Sequence, residues 1–316
     1  MLENKKRKHH YVFQAYLKKW VNSNEKLWCL REGKVFEVKT NNIAFEKDFY
    51  RVHRLSCKEI EFIKLFFSKY SLAFQKGVDD FIKLSKLISD DYRIIIVGLN
   101  SKQMIGLVEN NKILDIARNN MTEDVLAEFE GEAVVWLNSL CDNNISFIYN
   151  IEEREKFINF ICMQYYRTLR IRNNALLVLK EAETCFVSDQ FPEGSLKSEN
   201  LIFPMLWLIS ARCADALLKS PITIIVNKTA TGFITSDQPV VNLMADYKDL
   251  KSEVSDLIFY YPISPNIAVL VNDHSGKTRI ELKTDKEVEK YNDAIKSASN
   301  KMIFSNSYTI LEKYND

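Results

Sequence analysis

Two histidines stand side by side near the start of the chain, at His9 and His10, and they are half of the protein's four histidines. Histidine titrates near neutral pH and its neutral ring binds metals, so it serves as a general base or a metal ligand. Neighbouring residues of an extended segment point to opposite sides, so at most one of the pair can face a given site. The pair could equally follow a basic arm and cap the first helix without taking part in any chemistry.

A second polar feature is the turn Ser236-Asp237-Gln238-Pro239, which follows an apolar run typical of a strand. Asp two residues before Pro is typical of a turn, because its carboxylate can accept hydrogen bonds from the backbone ahead of it. A carboxylate at a strand end can also bind a metal or orient a histidine. Asp237 therefore has a structural and a functional interpretation. In the functional one, His10 and Asp237 would hold a divalent cation such as Mg²⁺ or Mn²⁺.

A third group of polar residues lies on a predicted helix near the middle of the chain. Gln164 and Arg167 are three residues apart, so their side chains share one helix face. An Arg beside an amide suits phosphate or carboxylate recognition, but a buried Arg can equally tie a helix to a loop. The nearby acids Glu128, Glu130 and Glu132 could pair with the arginine or form the edge of a metal site.

A short basic arm opens the chain and consists of Lys5, Lys6, Arg7 and Lys8. Such an arm can contact nucleic-acid phosphates, although basic runs are more often solvated tails. The formal net charge of the whole chain is +1, so no global positive field demands a nucleic-acid partner.

Several familiar catalytic signatures are absent from the sequence. It contains no GxxxxGK[ST], GxGxxG, GxSxG or HExxH motif, and its six cysteines form no CxxC pair. These absences weaken nucleotide hydrolysis, serine hydrolysis and zinc protease activity as functions. We expect a cytoplasmic protein without a membrane span, because there is no secretory pattern and no run of about 18 apolar residues.

Helical periodicity dominates the middle of the chain. Predicted helices cover residues 13–20, 57–90, 152–182 and 199–219, and one more begins at Thr122. Gly77 is expected to divide the long second stretch into two helices. Thr122 precedes two acidic residues and is expected to cap its helix. Residues 92–99 fit a buried strand or a buried helix equally.

Strand patterns occupy both ends of the chain. They predict a hairpin over 26–39 that turns at Glu32-Gly33, several strands across 221–282, and a last strand within 302–311. A helix is predicted over 285–300. Strands, then helices, then strands indicate an α+β fold. We predict a central helical bundle packed on an antiparallel β-sheet, formed mainly by the C-terminal third plus the N-terminal hairpin.

The length of 316 residues allows one large domain with a sizeable core. We predict a single domain over residues 1–316. It would comprise an N-terminal helix and hairpin (9–50), a helical region (57–219) and a β-rich region (221–312).

The segment from Lys8 to Trp20, KHHYVFQAYLKKW, resembles the opening of a bacterial family named domain of unknown function 4238. That family typically begins His-His-Tyr-Val-Pro-Gln, followed after two residues by Leu. Phe13 departs from this pattern, because it stands where the family usually has Pro. The likeness continues at Asp48-Phe49-Tyr50, at Gln164 with Arg167, at residues 233–240, and at Tyr261-Pro262-Ile263-Ser264-Pro265.

The resemblance implies a bacterial defence setting, because members are commonly found in accessory islands that include phage-defence candidates. We therefore expect an anti-phage effector, a nuclease acting on RNA or DNA, with a phage-encoded trigger as a partner. One of His9 and His10 would be the general base or a metal ligand, and Asp237 would bind the metal or orient that histidine. Arg167 and Gln164 would stabilise a phosphate, and the basic arm would contact the nucleic-acid backbone.

Two other functions remain open. The protein could be a non-enzymatic sensor or interaction module of a defence system, in which the His and Asp motifs form a buried structural network. It could also be an enzyme that modifies or consumes a nucleotide. The sequence names no substrate, metal, trigger or oligomeric state.

Overall fold

The computed structural model describes residues 4–89, 111–249 and 252–315. Its helices are α1 (Gln14–Leu17), α2 (Cys57–Phe66), α3 (Leu72–Ser89), α4 (Asn111–Cys141), α5 (Ile151–Tyr166), α6 (Leu169–Cys185), α7 (Ser198–Leu217), α8 (Asp285–Ala298) and α9 (Tyr308–Glu312). Its strands are β1 (Lys8–His10), β2 (Leu27–Arg31), β3 (Lys34–Val38), β4 (Phe45–Lys47), β5 (Ile222–Asn227), β6 (Thr235–Ser236), β7 (Val241–Asn242), β8 (Phe259–Ser264), β9 (Ile267–Val271), β10 (Arg279–Leu282) and β11 (Ile303–Ser305). Residues 92–99, left undecided by their pattern, lie outside the described residues.

The fold belongs to the α+β class with antiparallel sheets, as the sequence predicts. A four-stranded sheet has the order β3-β2-β11-β6, and a five-stranded sheet has the order β10-β5-β9-β8-β7. A two-stranded sheet pairs β1 with β4. One pairing departs from the antiparallel rule, because β10 runs parallel to β5.

The predicted hairpin is confirmed and forms one edge of the four-stranded sheet. Glu32 and Gly33 both have positive φ, at 52° and 70°, as a tight two-residue hairpin turn requires. Strand β11 then pairs with β2 on one side and β6 on the other. Phe304 of β11 lies opposite Cys29 and opposite Thr235. The N-terminal hairpin and the C-terminal third therefore share one sheet.

The chain divides into two compact units. The first comprises Met1–His9, Glu46–Glu128 and Arg172–Ile209, and the second comprises His10–Phe45, Phe129–Ile171 and Ser210–Asp316. The single domain expected from the chain length stays a prediction.

The first unit has a core of aromatic and aliphatic side chains from α2, α3 and α7. Ser56 starts α2 with a reciprocal cap, in which its hydroxyl accepts from the N–H of Glu59 at 3.1 Å and the Glu59 carboxylate accepts from the N–H of Ser56 at 2.7 Å. Core members include Phe62 of α2, Phe67 just after it, Phe191 in the loop before α7, and Leu201, Met205 and Leu208 of α7.

The helix boundaries correct two predictions. The long stretch breaks between Phe66 and Leu72, not at Gly77, because the Ser71 hydroxyl accepts from the N–H of Phe74 at 3.3 Å and starts a new helix. Helix α4 begins at Asn111, so Thr122 lies inside it and is not a cap.

Two further boundaries differ from the sequence pattern. The predicted helix over 152–182 is interrupted between Tyr166 and Leu169, giving α5 and α6. The predicted last strand is the short β11, followed by helix α9.

Helix α7 is rich in apolar residues. Among the described residues, it is long and apolar enough to cross a membrane, and half of its most apolar window is buried inside the protein. A core helix has the same properties, so the expected lack of a membrane span stays a prediction.

Candidate functional site

The carboxylate of Asp237 is bound by the loop that joins α8 to β11. Its Oδ1 accepts from the N–H of Asn300 at 2.8 Å, and its Oδ2 accepts from Lys301 at 2.7 Å and from Met302 at 3.2 Å. The residue is fully buried. Burial raises the pKa of Asp237 to about 6, while the backbone N–H groups act in the opposite direction. Both oxygens therefore have structural partners.

Arg170 of α6 donates hydrogen bonds to carbonyl groups in and beside the same loop. One guanidinium nitrogen donates to the carbonyls of Ser297 at 3.2 Å and Ser299 at 2.7 Å. Another donates to the carbonyl of Tyr247. The loop thus has three N–H groups bound by Asp237, and Arg170 binds the carbonyl of Ser299 at its α8 end. Arg170 therefore ties helix α6 to this loop.

The neighbours of Asp237 in the motif also form hydrogen bonds, mainly with backbone groups. The Ser236 hydroxyl accepts from the N–H of Gln238 at 3.1 Å. The Gln238 amide donates to the carbonyls of Val240 at 2.8 Å and Tyr165 at 3.3 Å, and its oxygen accepts from the Thr168 hydroxyl. Gln238 therefore fixes the turn between α5 and α6 against the Ser-Asp turn.

The beginning of the chain meets this region through the hydroxyl of Tyr16. That hydroxyl donates to the carbonyl of Pro262 at 2.7 Å and lies 2.5 Å from the Thr235 hydroxyl. A phenol has a single proton, so Thr235 must donate to Tyr16. Three motif segments of the second unit therefore meet at one buried group, although Thr235 and Pro262 lie 219 and 246 residues from Tyr16 in sequence. Burial raises the pKa of Tyr16 far above its ordinary value.

Gln164 and Arg167 lie on one face of α5, as predicted, and each has a structural partner. The Gln164 amide donates to the carbonyl of Tyr11 at 3.2 Å, which ties α5 to the opening motif. The Arg167 guanidinium forms an ion pair with Glu130 at 2.5 Å, and its side chain is only 4% exposed. The predicted pairing with the acidic cluster is confirmed for Glu130. A phosphate at Arg167 would have to compete with the Glu130 carboxylate.

His9 belongs to the first unit and is fully buried. Its Nδ1 accepts from the N–H of Tyr50 at 2.9 Å, and its Nε2 lies 2.9 Å from the carbonyl of Lys6. Only the neutral ring with its proton on Nε2 satisfies both partners, so we assign that tautomer from the hydrogen bonds. Burial lowers the pKa of His9, which favours the same neutral form.

His10 belongs to the second unit and is half-buried. The Gln14 amide donates to its ring, with the shorter distance of 2.9 Å at Nε2. Its ring also packs against Phe45 at a centroid distance of 5.6 Å. Of the two histidines, His10 has the more accessible ring.

The basic arm faces acidic residues of the first unit. Lys5 pairs with Asp115 at 2.7 Å, Lys6 with Asp124 at 2.5 Å, and Arg7 with Asp48 at 2.5 Å. Lys8 begins strand β1. These ion pairs are largely exposed and contribute little stability, but they offset the charge that a nucleic-acid contact would use.

A Mg²⁺ or Mn²⁺ site at His10 and Asp237 stays a prediction. A cation at Asp237 would compete with the backbone N–H groups that both of its oxygens accept. In the parts of the chain that the structure describes, no three His, Cys, Asp or Glu side chains group as metal ligands.

The model of one protein family, described as Protein of unknown function (DUF4238), matches residues 8–309. The chain belongs to this family. The resemblance drawn from the opening and Ser-Asp motifs is thereby confirmed at the level of the family. Searches of curated proteins and of solved structures found no match.

Two polar features of this DUF4238 protein could not be predicted from its sequence. Tyr16 fits the apolar face of a short helix. Its position in the sequence does not show that its hydroxyl binds two distant segments of the chain. His274 Nε2 lies 2.7 Å from Asp256 Oδ2 at the surface, and the hydrogen bond from His274 lowers the pKa of Asp256. The two residues are 18 positions apart and belong to no recognisable motif.

Proposed function

We propose that this protein is a non-enzymatic sensor or interaction module of a bacterial defence system. In this proposal, the polar motif residues hold distant chain segments together and do not carry out a reaction. The observation that supports it most is the buried Asp237 carboxylate, whose two oxygens accept three backbone N–H groups. The defence setting is carried over from the family resemblance.

The hydrogen bonds of the other motif residues favour the same proposal. A general base needs a free lone pair within reach of a substrate, and a metal ligand needs one directed at the ion. The Nδ1 lone pair of His9 is used by Tyr50, and Arg167 is paired with Glu130. His10 is half-buried and is the motif histidine that a partner could most readily reach.

The substitution Asp237→Asn tests the structural role. It replaces one acceptor oxygen with an NH₂ group that faces a backbone N–H, so we expect a loss of about 3 kcal/mol in the free energy of unfolding. The melting temperature should fall by roughly 5–10 °C. Thermal denaturation followed by circular dichroism measures it. The control Asp293→Asn makes the same charge change at an exposed position of α8 and should leave the melting temperature unchanged.

Nuclease activity stays a prediction, and the same proteins test it. Wild type and Asp237→Asn would be incubated with tRNA, plasmid and phage DNA, with and without Mg²⁺ or Mn²⁺. Cleavage that disappears in Asp237→Asn while the melting temperature is unchanged would contradict the structural proposal and support catalysis.

A further inference from the structure

A basic cleft of about 660 Å³ lies in the first unit. It is lined by residues 54–60 at the start of α2, by Lys86 of α3, and by four residues of the segment 194–200 at the start of α7. Its volume falls within the range of small-molecule sites, about 300–1,000 Å³. None of the motif residues discussed above lines it.

Four cations from three separate elements converge on this cleft: Arg54, Lys58, Lys86 and Lys197. Lys58 shares its charge with Glu61 at 3.0 Å. Within the described ranges, Lys86 and Lys197 form no ion pair, and both are exposed.

Among the described residues that line the basic cleft, the acidic one is Glu59, and hydrogen bonds within the protein satisfy its carboxylate. Besides the N–H of Ser56, it accepts from the N–H of Lys197 at 3.1 Å and from the Asn200 amide at 3.0 Å. Glu59 is 1% exposed, so its carboxylate joins the α2 wall of the cleft to the α7 wall from the protein interior. The ammonium groups of Lys86 and Lys197 therefore remain to attract an anionic ligand.

We propose that the basic cleft binds a small molecule bearing a di- or triphosphate group, such as a nucleotide. Several separated ammonium and guanidinium groups suit a ligand with several negative oxygens. Cations that converge in one cleft fit a compact ligand, whereas a nucleic-acid strand needs a stripe that follows its backbone. This site is independent of the structural role proposed for Asp237.

Isothermal titration calorimetry on the full-length protein at low ionic strength tests the proposal, with pyrophosphate, ATP and a short single-stranded oligonucleotide as separate probes. Pyrophosphate and ATP should bind to the wild type. Lys86→Glu combined with Lys197→Glu should weaken both by about tenfold or more, because two favourable charges become unfavourable.

The matched control combines Lys34→Glu with Lys69→Glu, two exposed lysines outside the basic cleft that give the same change in net charge. Its affinities should stay within about twofold of wild type. Melting temperatures check that both variants fold, and the milder pair Lys86→Gln with Lys197→Gln replaces the first if it does not. Absent binding of pyrophosphate and ATP to wild type, equal weakening in the control, or binding of the oligonucleotide alone would overturn the proposal.

Discussion

The imidazole of His9 uses one nitrogen as an acceptor and the other as a donor, and this fixes its charge state. A protonated ring would place a second N–H against the backbone N–H of Tyr50 and break that hydrogen bond. The segment that carries the family's opening motif is therefore held by a neutral histidine, and its attachment depends on pH.

We expect the stability contributed by His9 to decrease as the pH falls. In the unfolded chain its pKa is 6.5, whereas burial lowers that pKa in the folded protein. Between these two values the unfolded chain binds a proton that the folded protein does not, so acid favours unfolding. The measurement compares melting temperatures of wild type and His9→Gln at about pH 8 and about pH 5.

The melting temperature of wild type should exceed that of His9→Gln by less at the lower pH. Wild type loses the stabilisation from neutral His9 in acid, whereas the variant lacks this stabilisation at every pH. Asp237, whose raised pKa acts in the opposite direction, is present in both proteins and cancels from the difference. A difference that is constant or widens on acidification would contradict the assigned tautomer.

Single residues also show why the sequence predicted the site's members better than their roles. Asp237, Arg167 and Gln164 stand out by type and position. What each does is decided by its partner, and the three N–H groups bound by Asp237 come more than sixty residues later in the chain. A carboxylate that binds backbone and one that binds metal look the same in a sequence.

The loop of residues 299–302 has no regular secondary structure, yet the N–H groups of residues 300–302 are all bound by one side chain. Asp237 takes its N–H groups, and Arg170 takes the carbonyls on its α8 side. Irregular loops usually exchange their amide protons with water readily. Here the exchange requires the loop to leave a buried carboxylate.

We expect the amides of residues 300–302 to exchange with deuterium about as slowly as those of β11. Arg170→Gln removes the planar donor group that spans the carbonyls and should speed exchange at these amides. Arg279→Gln, an exposed arginine on β10, is the control and should leave them unchanged. Hydrogen exchange followed by mass spectrometry makes the measurement. Fast exchange at 300–302 in the wild type would contradict the clamp.

The element boundaries show where local sequence signals compete. Gly77 marks a helix break by propensity, but a glycine inside a helix costs only about 1 kcal/mol and α3 continues through it. The actual start of α3 uses the Ser71 hydroxyl, a cap that the apolar pattern around it hides. Likewise, Thr122 has the local sequence features of a helix cap. It lies inside α4, however, because α4 begins eleven residues earlier.

At the scale of the whole molecule, the class of fold follows from the order of patterns along the chain. The hairpin was predicted because its turn residues and alternating strands are local features. The position of β11 between β2 and β6 could not be predicted, because it joins segments from opposite ends of the chain. A three-residue strand carries too little pattern to specify its neighbours.

A chain that ends at residue 299 should fail to fold its second unit cooperatively. It lacks β11 and every donor to the Asp237 carboxylate, which would then be buried without partners. Thermal denaturation monitored by near-ultraviolet circular dichroism compares this chain with the full-length protein. A sharp transition of unchanged midpoint in the shortened chain would contradict the expectation.

The place of β11 also sets an order of events during synthesis. The ribosome produces the hairpin first and β6 much later, and the strand that joins them follows both of them in the chain. The nascent hairpin must therefore keep its β2 edge unpaired until β11 has been synthesised. Incomplete chains would expose that edge to other proteins, so messages cut short would yield products that chaperones and proteases recognise.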